Sequence, residues 1–385
     1  MNPPADEKPI RIEFVISGLR TGGAELTLYR LIKSLHSKQF DMSVVSLTTV
    51  GTVGSYLEKL GVPVLALRMH PWRINAFATW KLIAHMRQRR PQLVQTWMYH
   101  ADLFGGLVAK VFAGAPVIWG VRQSNFDPIS SNPVTMRIAR LCAQLSRRIP
   151  STIVCCSAAA YHRHGELGYL ERNMTIIDNG VDVSQFAAAP DAGHKLRAEL
   201  GVPPQAALVG LVARFDPQKD HATFVKAAVE LVRCGTDVHF VFCGEDIEWS
   251  NDDLVELVRS AGIAHRSHLL GLRDDIPKVV AGLDILTSSS AYGEGFPNVV
   301  AEAMACEVCV VATDVGDSAK IVGEFGWICP IRDHQALVTA WEEILSLDKE
   351  ARCRIGADAR RRVIEHYSLA HMASRYEALY RSLIL

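Results

Sequence analysis

Arg214 and Lys219 stand in the segment Arg214-Phe215-Asp216-Pro217-Gln218-Lys219, directly after an apolar run that ends at Ala213. Cations at the carboxyl end of a parallel strand face the crevice where such sheets take up ligands, and there they could carry the charge of a departing diphosphate. Further along, Glu294-Gly295-Phe296-Pro297-Asn298-Val299-Val300-Ala301-Glu302 follows another apolar run. Pro297 suits the first turn of a helix, whose free N–H groups between Phe296 and Val299 would make an anion site, and Gly295 lets a ligand approach closely. Glu294 in the loop and Glu302 inside the helix could each hold a pair of sugar hydroxyls. Taken singly, each piece also fits a solvated turn or a surface charge.

Other residues weigh toward packing. Cys306-Glu307-Val308-Cys309 has the spacing of half a zinc site, but no matching second pair lies nearby and Cys309 sits in an apolar strand, so both read as core. His100 by itself reads as a hydrogen-bonded core histidine, and Trp97 and Trp119, at strand ends, read as packing. Asp274 and Asp275 are adjacent and would point different ways, which suits a helix start better than a metal pair.

The elements that must position these groups alternate along the chain. Strands are expected at 10–16, 43–47, 62–67, 93–97, 117–120, 153–156 and 175–177, then at 207–212, 238–243, 268–270, 285–287 and 308–312. Between them lie amphipathic patterns such as 24–35, 80–89 and 101–112. Continuous apolar strands separated by helices mean parallel sheets covered on both faces, so the fold class is α/β with two doubly wound Rossmann-like domains. The domains are expected at 1–185 and 195–365, joined by a linker at 186–194 where Ala, Pro and Gly break the periodicity. Leu369, Met372, Tyr376, Leu379, Tyr380 and Leu383 are three and four apart and predict a terminal helix within 366–385.

The 385 residues carry 41 Lys plus Arg and 41 Asp plus Glu, with 49% hydrophobic residues. Zero formal charge argues against a dedicated nucleic-acid binder, and no nucleic-acid partner is expected. The balance hides a split: residues 1–190 hold 21 basic and 12 acidic side chains, a net of +9, and the remainder is −9. No run of apolar residues is long enough for a spanning helix, the opening residues lack the order of a signal peptide, and nine cysteines, an odd number and most of them in apolar runs, fit a reducing compartment. A cytoplasmic location is expected.

Together the motifs are far more specific than apart. Arg214 with Lys219, Leu270-Gly271-Leu272-Arg273-Asp274-Asp275-Ile276-Pro277, and Glu294-Gly295-Phe296-Pro297-Asn298 through Glu302-Ala303-Met304-Ala305 closely resemble the donor-binding half of glycosyltransferase family 4. The first half adds Gly22-Gly23-Ala24-Glu25, Tyr99-His100-Ala101-Asp102 and Asp178-Asn179-Gly180-Val181-Asp182, so the resemblance covers nearly the whole chain in order. It implies the GT-B fold, two Rossmann-like domains facing each other across a cleft, with the terminal helix crossing back to the first. It implies that Arg214 and Lys219 bind the nucleotide diphosphate, Glu294 the donor-sugar hydroxyls and Glu302 the ribose. The backbone from Leu270 to Arg273 would recognise the base, while Gly22 and Gly23 would meet the phosphates and acceptor. His100 would lie near the donor sugar, and Gly295, Phe296, Pro297 and Asn298 would line the anion site.

The expected activity is retaining transfer of a hexose or N-acetylhexosamine from a nucleotide sugar, a UDP-sugar by preference, to a hydroxyl of a glycan or lipid-linked saccharide. A GT-B nucleotide-sugar epimerase and a catalytically silent nucleotide-sugar-binding subunit are the alternatives. A dehydrogenase is disfavoured because no Gly-x-Gly-x-x-Gly follows the first strand. No Asp-x-Asp motif occupies a plausible active-site loop, so neither a metal nor any cofactor is expected. Where many relatives have Gly-Gly-x-Pro-Glu, this chain reads Gly316-Asp317-Ser318-Ala319-Lys320, which unsettles the distal donor contacts.

The segment 136–148 places Ile138, Leu141, Cys142, Leu145 and Ile149 on one helical face and arginines around the rest. Arg137, Arg140, Arg147 and Arg148, with Arg87, Arg89 and Arg90, are the candidates for weak, salt-sensitive association with the anionic inner face of a membrane, without insertion. Arg122, after another strand, is a candidate acceptor contact by position.

Overall fold

The computed structural model describes residues 9–36, 39–69, 75–124 and 132–384. The opening residues, and Asn125 to Asp127 of the segment after Arg122, lie outside the described residues. The chain forms two units, Met1–Gly180 with Leu369–Leu385, and Val181–Ser368.

The first unit is built on strands β1 (Ile10–Ile16), β2 (Phe40–Ser46), β3 (Val64–Ala66), β4 (Leu93–Trp97), β5 (Val117–Val121), β6 (Thr152–Cys155) and β7 (Met174–Ile176). They form one parallel sheet in the order β3-β2-β1-β4-β5-β6-β7. The strand order reverses between β1 and β4, and the crevice beyond the carboxyl ends at such a point is where doubly wound sheets bind ligands. Helices cover both faces. Ile12, Phe14 and Ile16 of β1 point into one core, shared with the helix Gly23–Leu35, and Val15 points into the other. Trp97 and Trp119 are fully buried, so both are packing residues.

The second unit holds β8 (Ala207–Val212), β9 (Val238–Cys243), β10 (Ser267–Leu269), β11 (Ile285–Ser288), β12 (Cys309–Thr313) and β13 (Trp327–Cys329), parallel in the order β10-β9-β8-β11-β12-β13. Its strand order reverses between β8 and β11. Along β12, Cys309 and Val311 face one core while Val310 and Ala312 face the other. Cys306 and Cys309 are buried in different cores and burial pushes their thiols up, to about 12 and about 11, as expected of core residues.

The structure differs from the sequence reading in several elements. The edge strand β13 was not expected: its three residues carry no periodicity. The helix expected over 80–89 runs from Ala76 to Arg89, because Asn75 caps it by accepting from the Ala78 N–H at 2.7 Å. The pattern over 101–112 divides into a π-helical turn, Ala101–Gly105, and an α-helix, Gly106–Phe112. The helix Pro133–Leu145 buries Met136, Ala139, Cys142 and Ala143, while Leu141, expected on that face, is exposed.

The unit boundary falls at Gly180, upstream of the small-residue run. Phe186 is buried in the core of the second unit, and Ala192–Leu200 is helical. The terminal helix Leu369–Ile384 buries Met372, Ala373, Tyr376 and Tyr380 in the first unit. Among the described residues, no helix is long and apolar enough to cross a membrane.

Candidate functional site

In the second unit, three loops at the carboxyl ends of neighbouring strands β8, β11 and β12 are tied into one structure. After β8, Asp216 accepts from the Gln218 N–H at 2.8 Å and caps the short turn Pro217–Lys219. Asp220, at φ 48°, then starts the helix His221–Arg233. This reversal carries Lys219 back toward the loop after β11, where its Nζ meets Glu294 Oε1 at 2.5 Å. Ser290 donates to the same oxygen at 2.6 Å. The backbones are stitched as well: Ala291 N–H donates to Gln218 O at 2.8 Å, and Ser289 Oγ to Lys219 O at 2.8 Å. From β12, Thr313 Oγ1 donates to Ser290 O at 2.6 Å.

The far side of the Glu294 loop is clamped by Gly316 and Asp317. Asp317 N–H donates to Gly295 O at 3.0 Å. Gly316 has φ 64°, and a Cβ there would lie 2.5 Å from Glu294 O and 2.7 Å from Gly295 O, so only glycine permits the approach. Lys320, whose presence unsettled this region, pairs with the buried Asp317 carboxylate at 3.2 Å. A carboxylate is thus present here, three residues ahead of the position the resemblance pointed to.

The charges differ in character. Burial alone would raise the Glu294 carboxyl, but Lys219, the Ser290 hydroxyl and Arg214 more than offset it, and the group is held below the usual carboxylate range. Lys219 is therefore a half-buried cation already facing a buried carboxylate. Arg214 is half exposed, with its Nε 3.1 Å from Asp216 Oδ2 and its Nη2 donating to Gln218 Oε1 at 3.3 Å. The arrangement can offer a diphosphate one exposed guanidinium and one fixed ammonium, and can offer sugar hydroxyls a preorganised acceptor in Glu294.

Around this centre the expected residues are placed unevenly. Phe296 is buried against the Tyr367 ring at 5.5 Å, so its side chain is core and only its backbone can reach a ligand. Pro297 lies one position before the helix Asn298–Ala305, as its N-cap residue, rather than in its first turn. Gly295 is buried, Asn298 opens the helix half-buried, and Glu302 is buried in its second turn. Leu270 continues the β10 ladder, its N–H donating to Phe242 O at 2.9 Å. Arg273 is gripped by Asp275 at 2.7 and 3.0 Å and by Glu199 at 2.5 Å, which balances its charge. It lines a cavity of about 310 Å³ with Pro190, Lys195, Glu199 and Lys278.

The remaining candidates belong to the first unit, at the ends of the adjacent strands β1 and β4. Gly22 is the extended residue before the helix that opens at Gly23, and a Cβ on it would collide with the Glu25 carboxyl group. Burial raises that carboxyl. Trp97 Nε1 donates to Ala24 O at 2.9 Å and so fastens the glycine loop to the end of β4. His100 lies three residues beyond Trp97, half-buried, and burial lowers its pKa. Arg122, the candidate acceptor contact, has its guanidinium 3.5 Å over the Trp97 ring and donates to Asn179 Oδ1 and Tyr376 OH, partners within this unit.

Sequence reasoning missed Ser289, Ser290, Thr313 and Asp317. The one available signal was the run Ser288-Ser289-Ser290, three hydroxyls where an apolar strand ends.

Two parallel-sheet units, each with its loops gathered where the strand order reverses, define the class of two-domain Rossmann-like proteins. Residues 21–185 match the family profile described as Glycosyltransferase Family 4, and residues 206–347 match Glycosyl transferases group 1. The chain belongs to this family of group 1, family 4 glycosyltransferases. A lipopolysaccharide core biosynthesis mannosyltransferase of Rhizobium meliloti is 30% identical over 223 residues, 56% of this chain and 63% of that protein. The UDP-Gal:alpha-D-GlcNAc-diphosphoundecaprenol alpha-1,3-galactosyltransferase of Escherichia coli is 25% identical over 216 residues, 55% of each chain. The matched stretch thus spans less than two thirds of either relative. In fold, the chain is similar to the Anabaena Alr3699/HepE protein solved in complex with UDP-glucose. The TM-score is 0.85 at 22% identity, over 97% of this chain and 100% of that one.

Proposed function

We propose that the protein is a retaining, metal-independent glycosyltransferase that moves a hexose or N-acetylhexosamine from a UDP-sugar to a hydroxyl of a lipid-linked saccharide. The observation that carries the reading is the Lys219–Glu294–Ser290 cluster beside the exposed Arg214, at the carboxyl edge of the second sheet. When the bond from the anomeric carbon to phosphate breaks, negative charge collects on the diphosphate and positive character on the sugar. Arg214 and Lys219 stabilise the first without a divalent ion, and the ionised Glu294 holds the sugar hydroxyls. The N-terminus of the helix Asn298–Ala305 adds its dipole on the phosphate side. No side chain of the cluster is poised as a sugar nucleophile, which favours attack by the acceptor from the face the diphosphate leaves.

UDP as leaving group is supported by the Anabaena protein, solved with UDP-glucose, and by the Escherichia coli relative, named for UDP-Gal. That relative's diphosphoundecaprenol acceptor supports a lipid-linked saccharide here. Gly22, Gly23 and His100 are assigned to the donor phosphates and sugar by the family resemblance.

The test incubates the protein with a panel of nucleotide sugars and lipid-linked acceptors, with and without excess EDTA. Acceptor-dependent release of UDP, a product of retained configuration, and rates within about twofold in EDTA are expected. Mg²⁺-dependent rescue would refute metal independence. Release of an epimerised sugar without acceptor would establish the epimerase instead, and binding without turnover the silent subunit.

A further inference from the structure

We propose that the first unit docks on an anionic phospholipid bilayer through the outer side of the helices Ala76–Arg89, Gly106–Phe112 and Pro133–Leu145, with Phe77, Trp80 and Val111 inserted among the headgroups. The three helices cover the same face of the sheet, since Ala78, Leu82, Val108, Ala109, Cys142 and Ala143 share one core. Their outer sides are unusually apolar. Phe77 is 70% exposed, Trp80 64% and Val111 61%, and Leu107 and Leu141 are also exposed. The Phe77 and Trp80 rings lie 6.2 Å apart, and Arg87 lies 5.5 Å over the Phe112 ring, joining the first two helices. A cluster of this kind on a soluble surface marks a binding site rather than scattered exposure.

Charge identifies the occupant. Residues 59–165 contain 14 Lys plus Arg but only two acids, Asp102 and Asp127, and Asp102 is fully buried. Arg87, Arg90, Lys110, Arg137 and Arg140 are exposed on the same helices or at their ends. Aromatic and aliphatic side chains on three helices whose charged residues are all Lys or Arg match an anionic interface, where Trp and Phe enter the headgroup layer and Lys and Arg meet the phosphates. Two features depart from the sequence expectation. Arg89 is half-buried and bonded to Asp41 at 2.7 and 2.5 Å, so it does not contribute. The exposed rings make the attachment partly resistant to salt, where charge alone would be screened.

The purpose of docking, access to a lipid-linked acceptor, rests on the proposed function; the docking itself does not. The full chain is therefore tested without donor or acceptor. It is sedimented with vesicles of phosphatidylcholine alone or mixed with phosphatidylglycerol, at low and high salt, and tryptophan fluorescence is followed with brominated lipids. Binding to the anionic vesicles that persists in part at high salt, with bromine quenching, is expected. The variant Phe77→Ser/Trp80→Ser/Val111→Ser, altered only at exposed positions, should retain the wild-type melting temperature. It should lose the salt-resistant fraction and bind about a hundredfold more weakly, as three apolar side chains no longer leave water. Arg137→Gln/Arg140→Gln should lose mainly the salt-sensitive fraction.

Wild-type binding by the triple-serine variant would overturn the insertion, and equal binding to neutral vesicles would overturn the anionic selectivity. A dimer that the same substitutions dissolve, with no vesicle binding, would show that a second copy covers the face. Vesicle binding lost while UDP still binds would leave the donor reading intact, and the converse would leave docking intact.

Discussion

Lys219 and Arg214 share a loop but not an environment, and that difference decides what each can do. Lys219 is fixed against Glu294, whose same oxygen accepts from Ser290, before any ligand arrives, so it costs no rearrangement when charge develops on a leaving group. Arg214, half exposed, must be ordered by the ligand. Lys219→Ala and Arg214→Ala should each lower turnover on the order of 10²-fold, the scale for losing one charge-stabilising group. Lys219→Ala also leaves Glu294 buried beside one fewer cation, so it should be the less stable of the two in thermal unfolding. Steady-state kinetics with both variants checks this, and wild-type turnover in both would remove them from the reaction. Arg214, Lys219, Glu294 and Glu302 could be singled out in the sequence because their motifs stand together and in order, whereas each alone also fits a solvated turn or a surface charge. Ser290 and Asp317 were not legible: a serine's role depends on which carboxylate the fold brings to it, and Asp317 acts partly through its backbone. Phe296 was only half legible, since its place in the motif gave the loop but not the direction of the ring.

At the scale of elements, the turn after β4 carries its own pH dependence. Asp102, in the π-helical turn Ala101–Gly105, accepts from Thr96 Oγ1 at 2.5 Å and from Gly120 N at 3.2 Å, bridging β4 and β5. Burial pushes its carboxyl up to about 8, against the pull of Thr96, Gly120 and Arg122. The neutral acid is therefore the form the fold favours, whereas the unfolded chain ionises near 3.8. Because the folded value is the higher one, the stability this group contributes is complete below the unfolded value and is lost as pH rises through the folded one. Asp102→Asn keeps the acceptor oxygen and removes the charge. Urea unfolding between about pH 5 and about pH 8 should show the wild type losing stability relative to the variant as pH rises. Parallel curves would place the ionisation elsewhere. The long strands of both sheets were legible from their unbroken apolar runs, and β13 was not, because three residues at a sheet edge hold no period. The break between Gly105 and Gly106 was hidden for a related reason: its apolar pattern fits one helix, and only the packed turn divides it.

For the whole molecule, the +9 and −9 halves and the two parallel-sheet units were both readable from sequence, while the exposed rings of Phe77 and Trp80 were not. Periodicity marks which residues a helix could bury, and only the packed unit shows which of them remain outside. The central claim is that the second unit holds the donor, with Glu302 on the ribose and Glu294 on the sugar. Calorimetric titration of UDP and of the UDP-sugar into the wild type, Glu302→Gln and Glu294→Gln tests it most directly. Glu302→Gln should weaken both ligands by about tenfold or more, near 1.4 kcal/mol. Glu294→Gln should leave UDP nearly unchanged and weaken only the intact UDP-sugar. Equal losses of both ligands in both variants, or no binding of either ligand to the wild type, would contradict the account.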